Sequence, residues 1–418
     1  MKMRKLIFLA MTLLAVMATG CQDEELVQIS DKSECESSHF VSLEKALAQV
    51  MPLYNGASEN TRSLEELPEI ESVAYHIVGG SSTRSSNEGI PFYIVNFKEK
   101  RGFAILSGDD RITSVYAFSD EGAINLKDTV NNIGLSYYIN GIMPEIVAEE
   151  IEDYSKTNDD SANGVIPPGV IDPTPQPLPK YQFDVRPLLD PEQRIWNQRY
   201  PYNMYCKTAT GERAKVGCGA VATALIMSYF KWPVNLEGKT FDWDNLLPLK
   251  YPSQRNYYAG FMEILGRPQY LNMSYGVDGS GCEMDKIEYT FGLFGYKYDK
   301  QDKIGLVEAK KSLKSGSPLM VFGKHMTIRT MSHVFVVDGY CTEYLQDEPA
   351  YLHIVWGWGS FDEDNAGLGN GYYLAKNGGF QSNPSFWDED DNKTSPSSTW
   401  LLYYSLTMMY NFSLDGSK

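Results

Sequence analysis

Cys218 stands between Gly217 and Gly219 at the head of the run V-G-C-G-A-V-A-T-A-L-I-M-S-Y-F-K-W-P, residues 216–233. Ala220, Ala222, Ala224, Ile226 and Met227 supply helix-forming or apolar positions for about three turns. This predicts a thiol at a helix N-terminus, where unpaired N–H groups carry partial positive charge and favour the thiolate that a nucleophile needs. A lone Cys in an apolar helix is otherwise a small core residue, so its partners decide between the two. A thiolate nucleophile needs a base beside it, and the chain has 5 His. His39 and His76 fall in the N-terminal part, and His76 sits in a strand-like run where a structural role is expected. His325 lies in the polar run Gly323-Lys324-His325-Met326-Thr327, which reads as a loop. His353 alternates with Tyr351 and Val355 along a strand. His333 opens the apolar strand Val334-Phe335-Val336-Val337, whose rigid end can hold the imidazole over a cleft, and it is the preferred base.

The elements that would position such a pair belong to an ordinary globular chain, with 43% hydrophobic and 22% charged residues. A formal charge of −17 argues against a nucleic-acid groove and against adhesion to anionic headgroups. The 28 Tyr and 7 Trp fit a β-rich exported protein with aromatic-lined surfaces. Lys2, Arg4 and Lys5 followed by the apolar residues 6–17 read as an export signal, too short for a membrane span. Ala18-Thr19-Gly20-Cys21 resembles a bacterial lipobox that would lipidate Cys21. The acidic Gln22-Asp23-Glu24-Glu25 behind it resembles a surface-export tether, which makes an outer-membrane or cell-surface lipoprotein the expectation. Plain secretion with cleavage before Cys21 is the alternative. Of 6 Cys, setting Cys21 aside leaves an odd number, Cys35, Cys206, Cys218, Cys282 and Cys341, without metal-ligand spacing, so at least one thiol is expected to stay free.

Five segments are expected: a signal over 1–20, a tether over 21–38, an α+β domain over 39–152, a linker over 153–180 and a larger domain over 181–418. In the first domain, residues 43–53 read as an amphipathic helix, and residues 72–78, 91–97, 102–107 and 112–118 as strands. Residues 126–150 read as a helix. Phe92-Tyr93-Ile94-Val95 and Phe103-Ala104-Ile105-Leu106, joined through Lys98-Glu99-Lys100-Arg101, form a hairpin pattern. Pro167, Pro168, Pro173, Pro175, Pro177 and Pro179 make the linker extended and open to cleavage. Beyond the Cys218 helix, residues 284–294 and 305–315 read as helices. Residues 319–322, 333–338, 351–356, 371–375 and 401–410 read as strands. A helical half followed by a strand-rich half predicts an α+β fold with a cleft between the halves.

In four separated segments residues 181–418 resemble the streptopain family of papain-like cysteine peptidases. The first joins Val185-Arg186-Pro187-Leu188-Leu189-Asp190, Trp196-Asn197-Gln198 and Pro201-Tyr202-Asn203; the second is the Cys218 helix. The third is His333-Val334-Phe335-Val336-Val337-Asp338-Gly339-Tyr340, and the fourth His353-Ile354-Val355-Trp356-Gly357-Trp358-Gly359. The resemblance implies a papain-like fold, Cys218 as nucleophile, His333 as general base and later acid, and Gln198 as an oxyanion-hole donor beside the Cys218 N–H. It implies Trp356 and Trp358 as rings shielding the imidazole. Met273-Ser274-Tyr275-Gly276 with Gly279-Ser280-Gly281 is a weaker match to a cleft-lining segment, which puts Gly276 and Ser280, with Ser332 beside the His, along the substrate cleft. Phe92-Tyr93-Ile94-Val95-Asn96-Phe97 and Gly102-Phe103-Ala104-Ile105-Leu106-Ser107-Gly108-Asp109-Asp110 resemble the family's propeptide. An exported endopeptidase zymogen is implied, inhibited by its own propeptide, acting on proteins or peptides, with no metal or organic cofactor. One position departs: the family carries Asn before the first Trp to orient the His, and this chain has Val355, which cannot accept that hydrogen bond. Asp362, Glu363, Asp364 and Asn365 are candidate replacements. The rival expectation is a catalytically silent papain-like domain that binds proteins at the cell surface.

Overall fold

The computed structural model describes residues 39–57, 67–79, 89–124, 134–135, 138–162, 181–246, 252–325, 332–344, 346–358, 369–375 and 404–415. The signal, the lipobox Cys21, Cys35, most of the Pro-rich linker and the acceptors proposed at 362–365 lie outside them.

The hairpin written into the sequence forms as β2 (Ile90–Phe97) and β3 (Phe103–Ser107), with Phe92 opposite Ser107 and Asn96 opposite Phe103. β1 (Ile70–Val78) pairs with β2 on the outside and β4 (Val115–Ser119) with β3 on the inside. Every residue of β3 and β4 is buried. That is why both read as continuous apolar runs rather than as alternating ones. The helix Leu43–Ala57 buries Ala46, Val50, Leu53 and Tyr54 in the core that these strands share.

Behind the N-terminal strands come β5 (Tyr181–Val185), the small hairpin β6 (Asn235–Leu236) and β7 (Lys239–Thr240), β8 (Tyr296–Asp302) and β9 (Leu319–His325). They are followed by β10 (Ser332–Glu343), β11 (Pro349–Val355), β12 (Gly371–Leu374) and β13 (Tyr404–Leu414). One 11-stranded sheet runs in the order β1-β2-β3-β4-β12-β11-β10-β9-β13-β8, and β5 adds itself to β10. The junction is β4 against β12, with Phe118 opposite Tyr372 and Ala117 opposite Tyr373. The N-terminal domain thus continues the sheet of the larger domain, and residues 41–418 group as one unit.

The helical half gathers around the helix Cys218–Tyr229, in which residues 219–228 are all buried. Its core takes in Trp196, Val216, Phe261, Ile287 and, from the sheet, Val334, Val336 and Val355. The opposite core joins Phe335, Val337, Trp356 and Tyr373 to the N-terminal domain's Phe103, Leu106, Phe118 and Leu135. Alternation along β10 therefore sends one side-chain set to each core. A helical half and an antiparallel half are the α+β arrangement expected.

Several elements differ from expectation. The helix Met143–Ala162 runs ten residues past the boundary placed at 152, because no Pro interrupts it, Pro167 being the next one, and Lys156 pairs with Glu152 at 2.8 Å one turn back. His325 ends β9 opposite Tyr404 rather than lying in a loop, since pairing with β10 and β13 overrides its polar neighbours. β5, β8 and the helix Pro252–Leu265 had no reading. β8 is largely exposed, Y-K-Y-D-K-Q-D, and holds its place by pairing with β13.

Candidate active site

Gly217 precedes the Cys218 helix at φ +93, a conformation that L side chains rarely adopt, and a Cβ there would come within 2.9 Å of Ser280 O. Glycine is required by both conditions. Two bonds hold the turn: Val216 N donates to Gln198 O at 3.0 Å, and Lys215 N to Gly276 O at 3.1 Å. Ser280 Oγ donates to Lys215 O at 2.7 Å and accepts from Gly276 N at 3.0 Å. Gln198, Gly276 and Ser280 are thus brought to the Cys218 turn, with the Ser280 hydroxyl committed to fixing the backbone. Gln198 is buried, and its Nε2 has no hydrogen-bond partner among the described residues. A buried amide donor without an acceptor is costly, and such costs persist where a ligand group is to be received.

Cys218, Cys206, Cys282 and Cys341 are all free thiols. Cys282 lies against the same helix start, where a Cβ on Gly219 would meet its Sγ at 2.7 Å. Burial pushes the Cys218 thiol up from its ordinary range, while the backbone N–H groups of Val334, Gly219 and Cys218, which face the sulfur, pull it down. The helix start acts in the direction expected, and desolvation outweighs it.

His333 enters on the second residue of β10, beside the half-buried Ser332 and opposite Gly323 of β9. The ring is 2% exposed. Its Nε2 lies 2.9 Å from Trp356 O. A carbonyl only accepts, so Nε2 carries the proton and Nδ1 keeps the lone pair of a base. Among the described residues that Nδ1 has no hydrogen-bond partner, so the imidazole and the Cys218 thiol are not joined. Trp358 meets the ring edge-on at a centroid distance of 5.7 Å, and Trp356 lies tilted at 6.3 Å. Lys215 Nζ stands 5.0 Å from the centroid of the Trp358 ring, a cation–π contact. Burial lowers the His333 pKa from 6.5 to about 4, with the Trp356 carbonyl opposing it.

Part of that burial comes from the N-terminal domain. A Cβ on Gly134 would lie 2.9 Å from His333 Nε2 and 2.5 Å from Trp356 Cε3, so this glycine backbone rests on the imidazole edge. Around it, Gly369 N donates to Ala123 O at 3.1 Å and Tyr351 Oη to Val115 O at 2.8 Å. Arg194 Nε reaches Glu121 Oε1 at 2.8 Å.

Val355 is fully buried opposite Val336, in the core behind the Cys218 helix. The acceptor for His333 is instead the backbone carbonyl one residue on. His353 is a separate matter: its Nδ1 pairs with buried Asp338 Oδ1 at 2.6 Å, and Asp338 Oδ2 accepts from Leu189 N at 3.1 Å.

Residues 196–373 match the model of the Peptidase C10 family. This segment belongs to that family. Residues 40–139 match the Spi protease inhibitor model, so the Peptidase C10 segment follows a domain of the inhibitor type. The Thiol protease/hemagglutinin PrtT of Porphyromonas gingivalis is 25% identical over 313 residues, 66% of this chain and 33% of PrtT. The chain thus spans about a third of the length of that relative. Streptopain of Streptococcus pyogenes is 23% identical over 325 residues, 66% of this chain and 73% of streptopain. Among solved structures, a prointerpain A fragment of Prevotella intermedia covers 80% of this chain and 98% of its own at 20% identity and a TM-score of 0.44. Active interpain A covers 54% and 93% at 22% identity and a TM-score of 0.37.

Sequence reasoning missed three residues at this centre: Gly134, Cys282 and Asn370. Gly134 carried no signal, since a close approach of backbone to a ring has no local pattern. Asn370 was readable only as the last loop residue before a strand.

Proposed function

We propose that the chain is a cysteine endopeptidase made as a zymogen, with Cys218 and His333 as its reacting pair. One observation carries the reading: His333 is held in the tautomer whose Nδ1 lone pair is free, on a strand whose next N–H, Val334, faces the Cys218 sulfur. When the N-terminal domain leaves, water and substrate replace its desolvating cover, and Nδ1 takes the thiol proton. The thiolate then attacks a peptide carbonyl carbon, and the oxygen, now anionic, accepts from the Cys218 N–H and Gln198 Nε2. The imidazolium gives its proton to the leaving amine as the C–N bond breaks. Water then loses a proton to Nδ1 as it attacks the thioester, and the carboxylic product leaves with the thiol restored.

With the domain in place, two effects oppose this chemistry. Gly134 rests on the ring, and the two members of the pair are neutral and not hydrogen-bonded to each other. This supports intramolecular inhibition by residues 39–162. The experiment is peptide hydrolysis by the full chain before and after limited proteolysis between residues 163 and 180, with an epoxide thiol probe. Turnover and Cys218 labelling are expected after cleavage alone and are expected to vanish in Cys218→Ala. A cleaved chain that binds peptides without turnover or labelling would favour the binding-module reading.

Export is part of the proposal, supported by the basic, apolar and lipobox-like segments of residues 1–21. Radiolabelled palmitate is expected in the parent chain expressed in a Gram-negative host, and absent from Cys21→Ser. A parent chain that takes up no label would leave secretion without an anchor.

A further inference from the structure

We propose that Asn370 is the positioning residue for His333, its carboxamide fixing the backbone of Trp356 so that the Trp356 carbonyl orients the imidazole. This rests on the reading of His333 as the base. The pairing of β11 with β12 ends at Ile354 opposite Gly371, and the pairing of β11 with β10 ends at Val355 opposite Val336. Trp356 is therefore the first residue beyond both ladders, and Gly357 turns the chain away at φ +65. Among the described residues no strand partner fixes the direction of its carbonyl. Asn370, one residue before β12, does the work with its side chain: Oδ1 accepts from Trp356 N at 2.9 Å. Its Nδ2 donates to Arg194 O at 2.7 Å, which ties the carboxamide plane to the segment that leads to Gln198. Asn370 is 4% exposed, so both bonds are sheltered from competing water. The outcome is a chain of three contacts, Arg194 O to Asn370, Asn370 to Trp356 N–H, and Trp356 O to His333 Nε2. It supplies a fixed acceptor where Val355 offers none. The N-terminal domain holds both flanks of the same bracket, through Glu121 on Arg194 and Ala123 on Gly369.

The test uses the full chain matured by cleavage between residues 163 and 180. Asn370→Ala is expected to lower kcat on the order of 10- to 100-fold while KM changes by less than about threefold, because a misplaced base costs rate rather than binding. Asn370→Asp keeps the acceptor for Trp356 N–H but loses the donor to Arg194 O. It is expected to recover kcat to within about fivefold of the parent. Parent-like kcat in the Ala variant would overturn the proposal. So would an Asp variant that keeps the parent's thermal midpoint but is as slow as the Ala variant, which would place the role in the Arg194 brace. If the Ala variant does not fold, the Asp variant decides alone by the same criterion. A parent chain that hydrolyses nothing, with Cys218 alkylating no faster than a free thiol, would sink the peptidase reading and this role with it.

Discussion

At the scale of single residues, His333 joins stability to chemistry. Its pKa falls from 6.5 to about 4 on burial, so between those values the unfolded chain binds a proton that the folded chain refuses. The contribution is fully present above about pH 6.5, declines as the pH drops towards 4, and amounts to about 3 kcal/mol at most. The thermal midpoint of the intact chain is expected to fall between pH 7 and pH 4.5, with a shallower fall in His333→Ala. Equal slopes in the two chains would show that other groups set the acid response. Cys218 and His333 stand out as candidates in the sequence through local patterns, a Gly-flanked thiol before an apolar helix and a His at the head of an apolar strand, whereas Gln198, Trp356 and Trp358 enter only through the resemblance of their segments to the family. The substitute for the absent Asn was not legible. A main-chain carbonyl has no letter in the sequence, and a side chain that fixes it acts from another strand.

At the scale of elements, the start of the Cys218 helix is set by Gly217. A methyl there meets Ser280 O at 2.9 Å and is held at φ +93, so Gly217→Ala is expected to cost roughly 1–3 kcal/mol and to remove activity by displacing the Cys218 N–H. A urea midpoint equal to the parent's would contradict this. The strands β2, β3, β10 and β11 were readable from the sequence because they are buried runs of apolar residues with clear turn signals. β8 was not, since Tyr296-Lys297-Tyr298-Asp299-Lys300-Gln301-Asp302 carries the composition of a loop and becomes a strand only through β13. The boundary at residue 152 rests on the shift to Asp, Gly and above all Pro in the stretch that follows, and the first of those prolines, Pro167, comes only after the helix has ended. The polar, acidic residues that precede it are tolerated by a solvated helix as long as no Pro stops it.

At the scale of the whole molecule, the two domains share one sheet and one core, and composition does not announce this. The strand-rich N-terminal sequence looked like an independent unit, yet β4 finds a partner in β12 and the Arg194 guanidinium, 5% exposed, finds Glu121. Glu121→Ala is expected to lower the stability of the intact chain on the order of 1–2 kcal/mol and to speed cleavage within residues 163–180. The matured domain, which lacks residue 121, provides the comparison, and an unchanged intact chain would show that the pair contributes nothing to holding the domains together. Gly134→Ala places a methyl 2.9 Å from His333 Nε2, so it is expected to loosen the cover and raise the rate of Cys218 labelling in the uncleaved chain. Departure of the N-terminal domain is expected to convert two neutral groups that are not hydrogen-bonded to each other into a thiolate–imidazolium pair. Its most direct measurement is the pH dependence of Cys218 alkylation by iodoacetamide, before and after cleavage. Slow alkylation throughout is expected in the intact chain. After cleavage, the reactive thiolate is expected well below the ordinary thiol value of about 8.5, in a form lost in His333→Ala. An inflection near or above that value in the cleaved parent, unchanged by His333→Ala, would contradict the account.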